Sequence, residues 1–175
     1  MITIDEPQGR THGGRELSAE FDVLSALQKV KGPFIEIGGP TPPHYVLETP
    51  YLVVDTKKLP KPLITTNITP ATKVFEPDYM TGEYSEAQLL PTQVQIDGRQ
   101  LALADNSVGA VFASALPVEI RNRVLVEAYR VLEPGGVLIW QYPDVSDVRS
   151  AVKVGFSLKK RQQGPGVLSS FVFQK

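Results

Sequence analysis

The stretch Phe34-Ile35-Glu36-Ile37-Gly38-Gly39-Pro40-Thr41 constrains this chain more than any other. Three apolar residues around one carboxylate have the length and bulk of a short buried strand. The strand runs into two adjacent glycines, where a backbone without Cβ atoms can turn sharply. Strands of this kind lie inside open α/β sheets, and the loop at their carboxyl end holds a ligand where the strand order reverses. Glu36 is costly to bury without a partner, so it is expected to face that crevice. The same residues also fit a plain strand-to-turn transition, and the rest of the chain has to decide.

A chain of 175 residues fits one domain with a single sizeable core. The formal net charge of −1 gives no global attraction to nucleic acid or to an anionic membrane. No run is long and apolar enough to span a bilayer, and the N-terminus lacks the apolar centre of a signal peptide, so a cytoplasmic setting is expected. The absence of cysteine excludes disulfides, thiolate metal sites and a cysteine nucleophile. His12 and His44 lie far apart in sequence, and no metal site is expected. Proline is the unusual component, with 15 residues that fall mostly between Pro33 and Pro91.

Met1–Gly14 is polar and glycine-containing, and is read as a flexible arm ahead of one domain over residues 15–175. Apolar residues at Leu17, Phe21, Leu24, Leu27 and Val30 make a helical stripe, opened near Ser18 and Glu20 and closed by Lys31-Gly32-Pro33. After the glycines, Thr41 can cap a short helix from His44 to about Glu48, with Pro42 and Pro43 in its first turn. Two strand-like runs follow, Tyr51–Asp55 and Pro62–Asn67. A parallel crossover takes a dozen or more residues, which favours the second run. Ala71–Pro91 lacks periodicity; Tyr79–Tyr84 reads as a surface loop, with a short helix after Ser85.

Regular pattern returns with the alternating strand Thr92–Gly98, a turn at Ala104–Ser107 and a buried strand over Val108–Ala113. Val118–Leu132 sets Val124, Leu125, Ala128, Val131 and Leu132 on one helical face. Pro134-Gly135-Gly136 ends that helix, and Val137–Gln141 is a continuous apolar strand. Asp144–Val154 is a short helix. Phe156–Arg161 and Leu168–Phe173 read as a closing hairpin, with Lys159-Lys160-Arg161 as a solvated edge.

Several of these segments, in this order, resemble class I S-adenosylmethionine-dependent methyltransferases. They are Asp97, Leu101–Ser107, Val111–Ser114, Glu127–Gly136 and the Val137–Trp140 strand. Glu36-Ile37-Gly38-Gly39 is similar to the family's first motif, an acid and a glycine turn after the first strand. The resemblance implies an α/β, doubly wound, mostly parallel seven-stranded sheet with helices on both faces and a C-terminal antiparallel hairpin. It implies S-adenosylmethionine as cofactor, with Glu36, Gly38 and Gly39 beside its amino acid end. Asn67 would meet the ribose hydroxyls and Ile68 would pack on the adenine. Asp97 would accept from the adenine amino group, the Gly98 N–H would reach the ring, and Ser114 and Ala115 would border the sulfonium. The implied acceptor is a small molecule or a protein side chain; nothing points to nucleic acid. Glu119, Tyr142, Asp144 and His44 are candidates for a base near the strand tips, and no base is forced.

Two departures stand out. Pro40 replaces the second motif glycine, and Pro42 and Pro43 follow, removing three donors from a loop that would otherwise hold an anion. That loss tells against NAD and against a phosphate-binding loop, whereas S-adenosylmethionine carries no phosphate. Asn67 stands where the family has a carboxylate, unless Tyr51–Val54 is the second strand and Asp55 supplies one. A methyltransferase-like fold used as a non-catalytic binding or scaffolding module is the alternative reading.

Overall fold

The computed structural model describes residues 21–39, 59–68, 94–114, 116–163 and 169–175, with the backbone alone at 73–77, 84–88, 162–163 and 169. The expected arm, the His44–Glu48 helix, the run to Asp55 and Ala115 all lie outside the described residues.

Asp22 sets the start of the first helix. Its carboxylate accepts from the Ser25 N–H at 3.1 Å and from the Ser25 hydroxyl at 2.6 Å, so α1 spans Val23–Lys29. The helix therefore starts later than the apolar stripe predicts, and Phe21 and Asp22 are not helical. Val23, Ala26, Leu27 and Val30 are buried, while Leu24, expected on the stripe, is 40% exposed. The Lys31–Gly32 turn after α1 is gripped from two distant points. Lys61 Nζ donates to the carbonyls of Val30, Lys31 and Gly32, and the Glu133 carboxylate accepts from the N–H groups of Lys31 and Gly32.

The strands of the main sheet are β1 (Phe34–Ile37), β2 (Leu63–Asn67), β5 (Val94–Gln95), β6 (Val108–Ser114), β7 (Leu132–Gln141), β8 (Ser157–Gln163) and β9 (Ser169–Gln174). Their order is β5-β2-β1-β6-β7-β9-β8. The first five are parallel, and β9 runs antiparallel between β7 and β8. The chain steps outward from β1 to β2 and β5, then returns to the other side of β1 with β6. The reversal of strand order thus falls between β1 and β6, where an open sheet leaves a crevice. All four residues of β1 are buried, as an interior strand requires.

Alternation along the strands separates two apolar layers. Phe34, Phe112, Ile139 and Val172 pack with α1 on one face. Ile35, Ile37, Val111, Leu138, Trp140 and Phe173 pack on the other, beneath α2 (Val118–Val131) and α3 (Val145–Val154). The helices lie on both faces, as expected.

Three local readings are corrected. Lys73–Pro77 (β3) and Tyr84–Gln88 (β4) form a separate antiparallel pair, so a strand stands where a short helix was expected after Ser85. Cross-strand bonding overrides the weak local pattern there. The strand before Asp97 is described over Val94–Gln95, paired with Thr66 and Asn67, and it ends ahead of Ile96 rather than running to Gly98. Pro134-Gly135-Gly136 does not end α2. The chain becomes extended at Leu132, and β7 starts there, passing the three residues with a register shift against β6.

Candidate functional site

The parallel registers bring the predicted residues to one end of the sheet. Ile37 lies beside both Thr66 and Ala113, Asn67 beside Gln95, and Ser114 beside Gln141. Gly38, Gly39, Asn67, Ile68, Asp97, Gly98 and Ser114 follow or end these strands, and Glu36 sits one residue inside the edge.

Gly38 has φ +82°, a left-handed conformation that strains any residue with a Cβ. Its turn is fully bonded to the tip of β2. The N–H groups of Gly38 and Gly39 both donate to the Thr66 carbonyl, at 2.9 and 3.0 Å. In the other direction, Asn67 Nδ2 donates to the Gly39 carbonyl at 2.7 Å and to that of Gly38 at 3.4 Å. Thr66 Oγ1 donates to the Glu36 carbonyl, tying the same two strands together. Thr66 is buried and was not singled out by sequence; a threonine inside a strand carries no mark of this role. Glu36 is 1% exposed and points, with Phe34, toward the α1 face. A Cβ on residue 39 would overlap the Glu36 carboxylate, so the second glycine is set by that packing.

Asp97 lies just beyond β5. Its Oδ1 accepts from the Arg99 N–H at 2.9 Å and from Arg99 Nε at 2.9 Å. Its Oδ2 accepts from Nε at 3.0 Å and from Nη2 at 2.6 Å. The arginine holds the carboxyl well below the ordinary range, at about 2. Arg99 was not read from the sequence, although a carboxylate two residues before an arginine is a pattern that can close such a turn. Gly98 is needed for space, since a Cβ there would run into Ile37 Cγ2.

The loop beyond is pinned to α2. Arg130 donates to both oxygens of Glu127, to Asp105, and to the carbonyls of Leu101 and Leu103. Glu127 also accepts from the Leu101 N–H at 2.8 Å. The hydrogen bonds from Arg130 lower the Glu127 pKa, and the two carboxylates raise that of Arg130 still higher.

On the far side of the crevice, Ser114 Oγ donates to Gln141 Oε1 at 3.1 Å. Arg121 donates to the Leu116 carbonyl, Asp144 and Asp147, joining α2 to the start of α3. Among the candidate bases, Asp144 is the N-cap of α3 and part of this clamp. Glu119 is exposed in the first turn of α2. Tyr142 is 36% exposed and has φ +61°, an uncommon backbone for a bulky side chain. Ile68 is 56% exposed. No cluster that could hold a metal ion occurs among the described residues.

The strand order, the glycine turn at the reversal point and the antiparallel final pair define a Rossmann-like fold of the methyltransferase type. Residues 65–140 match the family described as a methyltransferase domain. That segment is less than half of the chain, and the strand order around it is the one that the resemblance to class I S-adenosylmethionine-dependent methyltransferases implies. It is similar in fold to a S-adenosylmethionine-dependent methyltransferase of Methanosarcina mazei, with a TM-score of 0.52 and 11% identity over 89% of this chain and 98% of that one. A S-adenosylmethionine-dependent methyltransferase of Mesorhizobium loti gives 0.51 and 11%, over 86% and 94%. A Pyrococcus horikoshii protein is matched over only 46% of this chain and 57% of its own length, with 16% identity and a TM-score of 0.40. No curated protein matches the sequence significantly.

The residues present are compatible with the phosphate-free cofactor that a methyltransferase domain implies. Both N–H groups of the glycine turn are spent on Thr66, so the turn offers no anion hole, and the prolines after it add none. What the strand tips carry is carboxylate, amide and hydroxyl, at Asp97, Asn67 and Ser114, with the buried Glu36 one residue inside β1. Such a set suits a ligand rich in hydroxyl and amino donors and lacking phosphate.

Proposed function

We propose that the chain binds S-adenosylmethionine across the carboxyl ends of β5, β2, β1 and β6, and transfers its methyl group to a small molecule or a protein side chain. The observation that carries this reading is the saturation of the Gly38–Gly39 N–H groups by Thr66, at the strand reversal, in a chain whose 65–140 segment matches a methyltransferase domain. It favours a phosphate-free nucleoside ligand over a dinucleotide. In the proposal, Glu36, Gly38 and Gly39 neighbour the amino acid end, Asn67 the ribose, and Ile68, Asp97 and Gly98 the adenine. Ser114 and Ala115 border the reacting centre. Residues 15–175 act as one domain.

The cofactor, when bound, supplies a methyl group on a sulfonium that an acceptor's lone pair can displace in line. The protein's share is then to orient and to exclude water. The Ser114–Gln141 bond and the Arg121 clamp on Asp144 and Asp147 fix the two strand tips between which an acceptor would sit. Glu119 and Tyr142 flank that opening and are the proposed candidates for a proton acceptor, with His44 a third.

Titration calorimetry with S-adenosylmethionine, its demethylated product S-adenosylhomocysteine, and NAD tests the reading. Saturable heat with the first two and none with NAD is expected. Absence of heat with either at millimolar concentration leaves the scaffolding alternative in its place.

A further inference from the structure

We infer that Arg99 competes with the cofactor for Asp97, so that the adenine end of the site is closed by an internal ion pair that ligand binding must open. The inference rests on the cofactor reading above. A carboxylate has about four lone-pair positions for donors. Three N–H groups of Arg99 point at Asp97: the backbone N–H at Oδ1, Nη2 at Oδ2, and Nε shared between both oxygens. The guanidinium lies along both oxygens, so an adenine amino group that donates to this carboxylate competes with it.

The geometry also makes the opening inexpensive. The side chains of Arg99 and Asp97 are 40% and 34% exposed, and among the described residues Arg99 hydrogen-bonds to no other side chain. A freed guanidinium therefore passes into water rather than into a buried, unpaired state. The Arg99 N–H bond belongs to the local turn and holds the carboxylate in place with the side chain gone. Arg99 is thus a residue that sets affinity and salt response, and not one that touches the ligand.

The test uses the full chain, S-adenosylhomocysteine as probe, and four proteins: wild type, R99M, D97A and the double variant. Calorimetry is expected to give R99M about two- to fivefold tighter binding than wild type, the range an exposed ion pair spans. Wild-type affinity should rise between low and moderate salt as the pair is screened, and that of R99M should not. In the D97A background, removing Arg99 should change nothing, because the competitor then has no target. Denaturation curves for the free proteins should agree within error, since the pair is exposed.

Weaker binding by R99M would overturn the inference, and would make Arg99 a support that orients Asp97. Equal binding by wild type and R99M would also overturn it, and would leave the cofactor reading intact. If wild type and R99M both fail to bind, the cofactor reading falls and this inference falls with it.

Discussion

Arg130→Met tests how firmly the segment after Asp97 is fixed. Arg130 makes five hydrogen bonds, and they are unequal. The contact with Asp105, whose side chain is 68% exposed, is worth no more than about 1 kcal/mol. The contacts with Glu127 and with the Leu101 carbonyl are the costly ones to lose. The Glu127 side chain is only 16% exposed and Leu101 is buried, so their oxygens would be left half-satisfied away from water. Arg130 itself keeps about a third of its surface in water, which lowers the charged-bond values. A loss of roughly 2–4 kcal/mol is expected for Arg130→Met, against about 1 kcal/mol or less for Asp105→Ala.

Urea denaturation with a shared m-value measures both. The pH dependence has a definite sign. The folded Glu127 pKa is lowered, so its pairing contributes fully above the unfolded value of about 4.3 and is lost as pH falls through the folded one. The gap between wild type and R130M should therefore narrow on acidification below about pH 4. A gap under about 1 kcal/mol at neutral pH, or one that widens in acid, would refute the claim that this network anchors the loop.

Further outcomes follow from single contacts. Gly98→Ala should cost about 1–3 kcal/mol in denaturant, because its methyl would press on buried Ile37, and a neutral result would show that the two strands can separate freely. Asn67→Asp replaces the donor to Gly39 with a carboxylate facing a carbonyl, and should destabilise by about 1–3 kcal/mol. Tighter binding of S-adenosylhomocysteine by that variant, with stability unchanged, would instead restore the ribose-carboxylate role to this position. Asp97→Ala should weaken binding about tenfold to a hundredfold by calorimetry, and leave the free protein's denaturation midpoint in place.

The parts legible in the sequence were those whose pattern is local and repeated. Val108–Ser114 and the Val137–Gln141 strand are continuous apolar runs, and α2 has an unbroken helical stripe. The length of the crossover after β1 was enough to choose Leu63–Asn67 over the run ending at Asp55. Other features depend on partners remote in sequence. Nothing near Thr66 announces that its carbonyl takes both glycine N–H groups, and nothing near Lys61 announces its hold on the turn after α1. Pro134-Gly135-Gly136 looked like a helix stop because proline and glycine break helices, yet the same residues are compatible with a strand at an irregular register. Asp97 was singled out by its place after an alternating strand. Its arginine partner was overlooked because a short i to i+2 pair resembles ordinary surface charge.

The central claim, that the ligand lies across the carboxyl ends of β5, β2, β1 and β6, is tested most directly by amide chemical shifts. Wild-type protein labelled with nitrogen-15 is titrated with S-adenosylhomocysteine, and the perturbed residues are mapped. The account predicts saturable shifts at Gly38, Gly39, Asn67, Ile68, Asp97, Gly98 and Ser114. Gly32, Glu133 and Gly135, at the opposite end of the strands, should stay still. Shifts confined to that opposite end, or none at millimolar ligand, would contradict it.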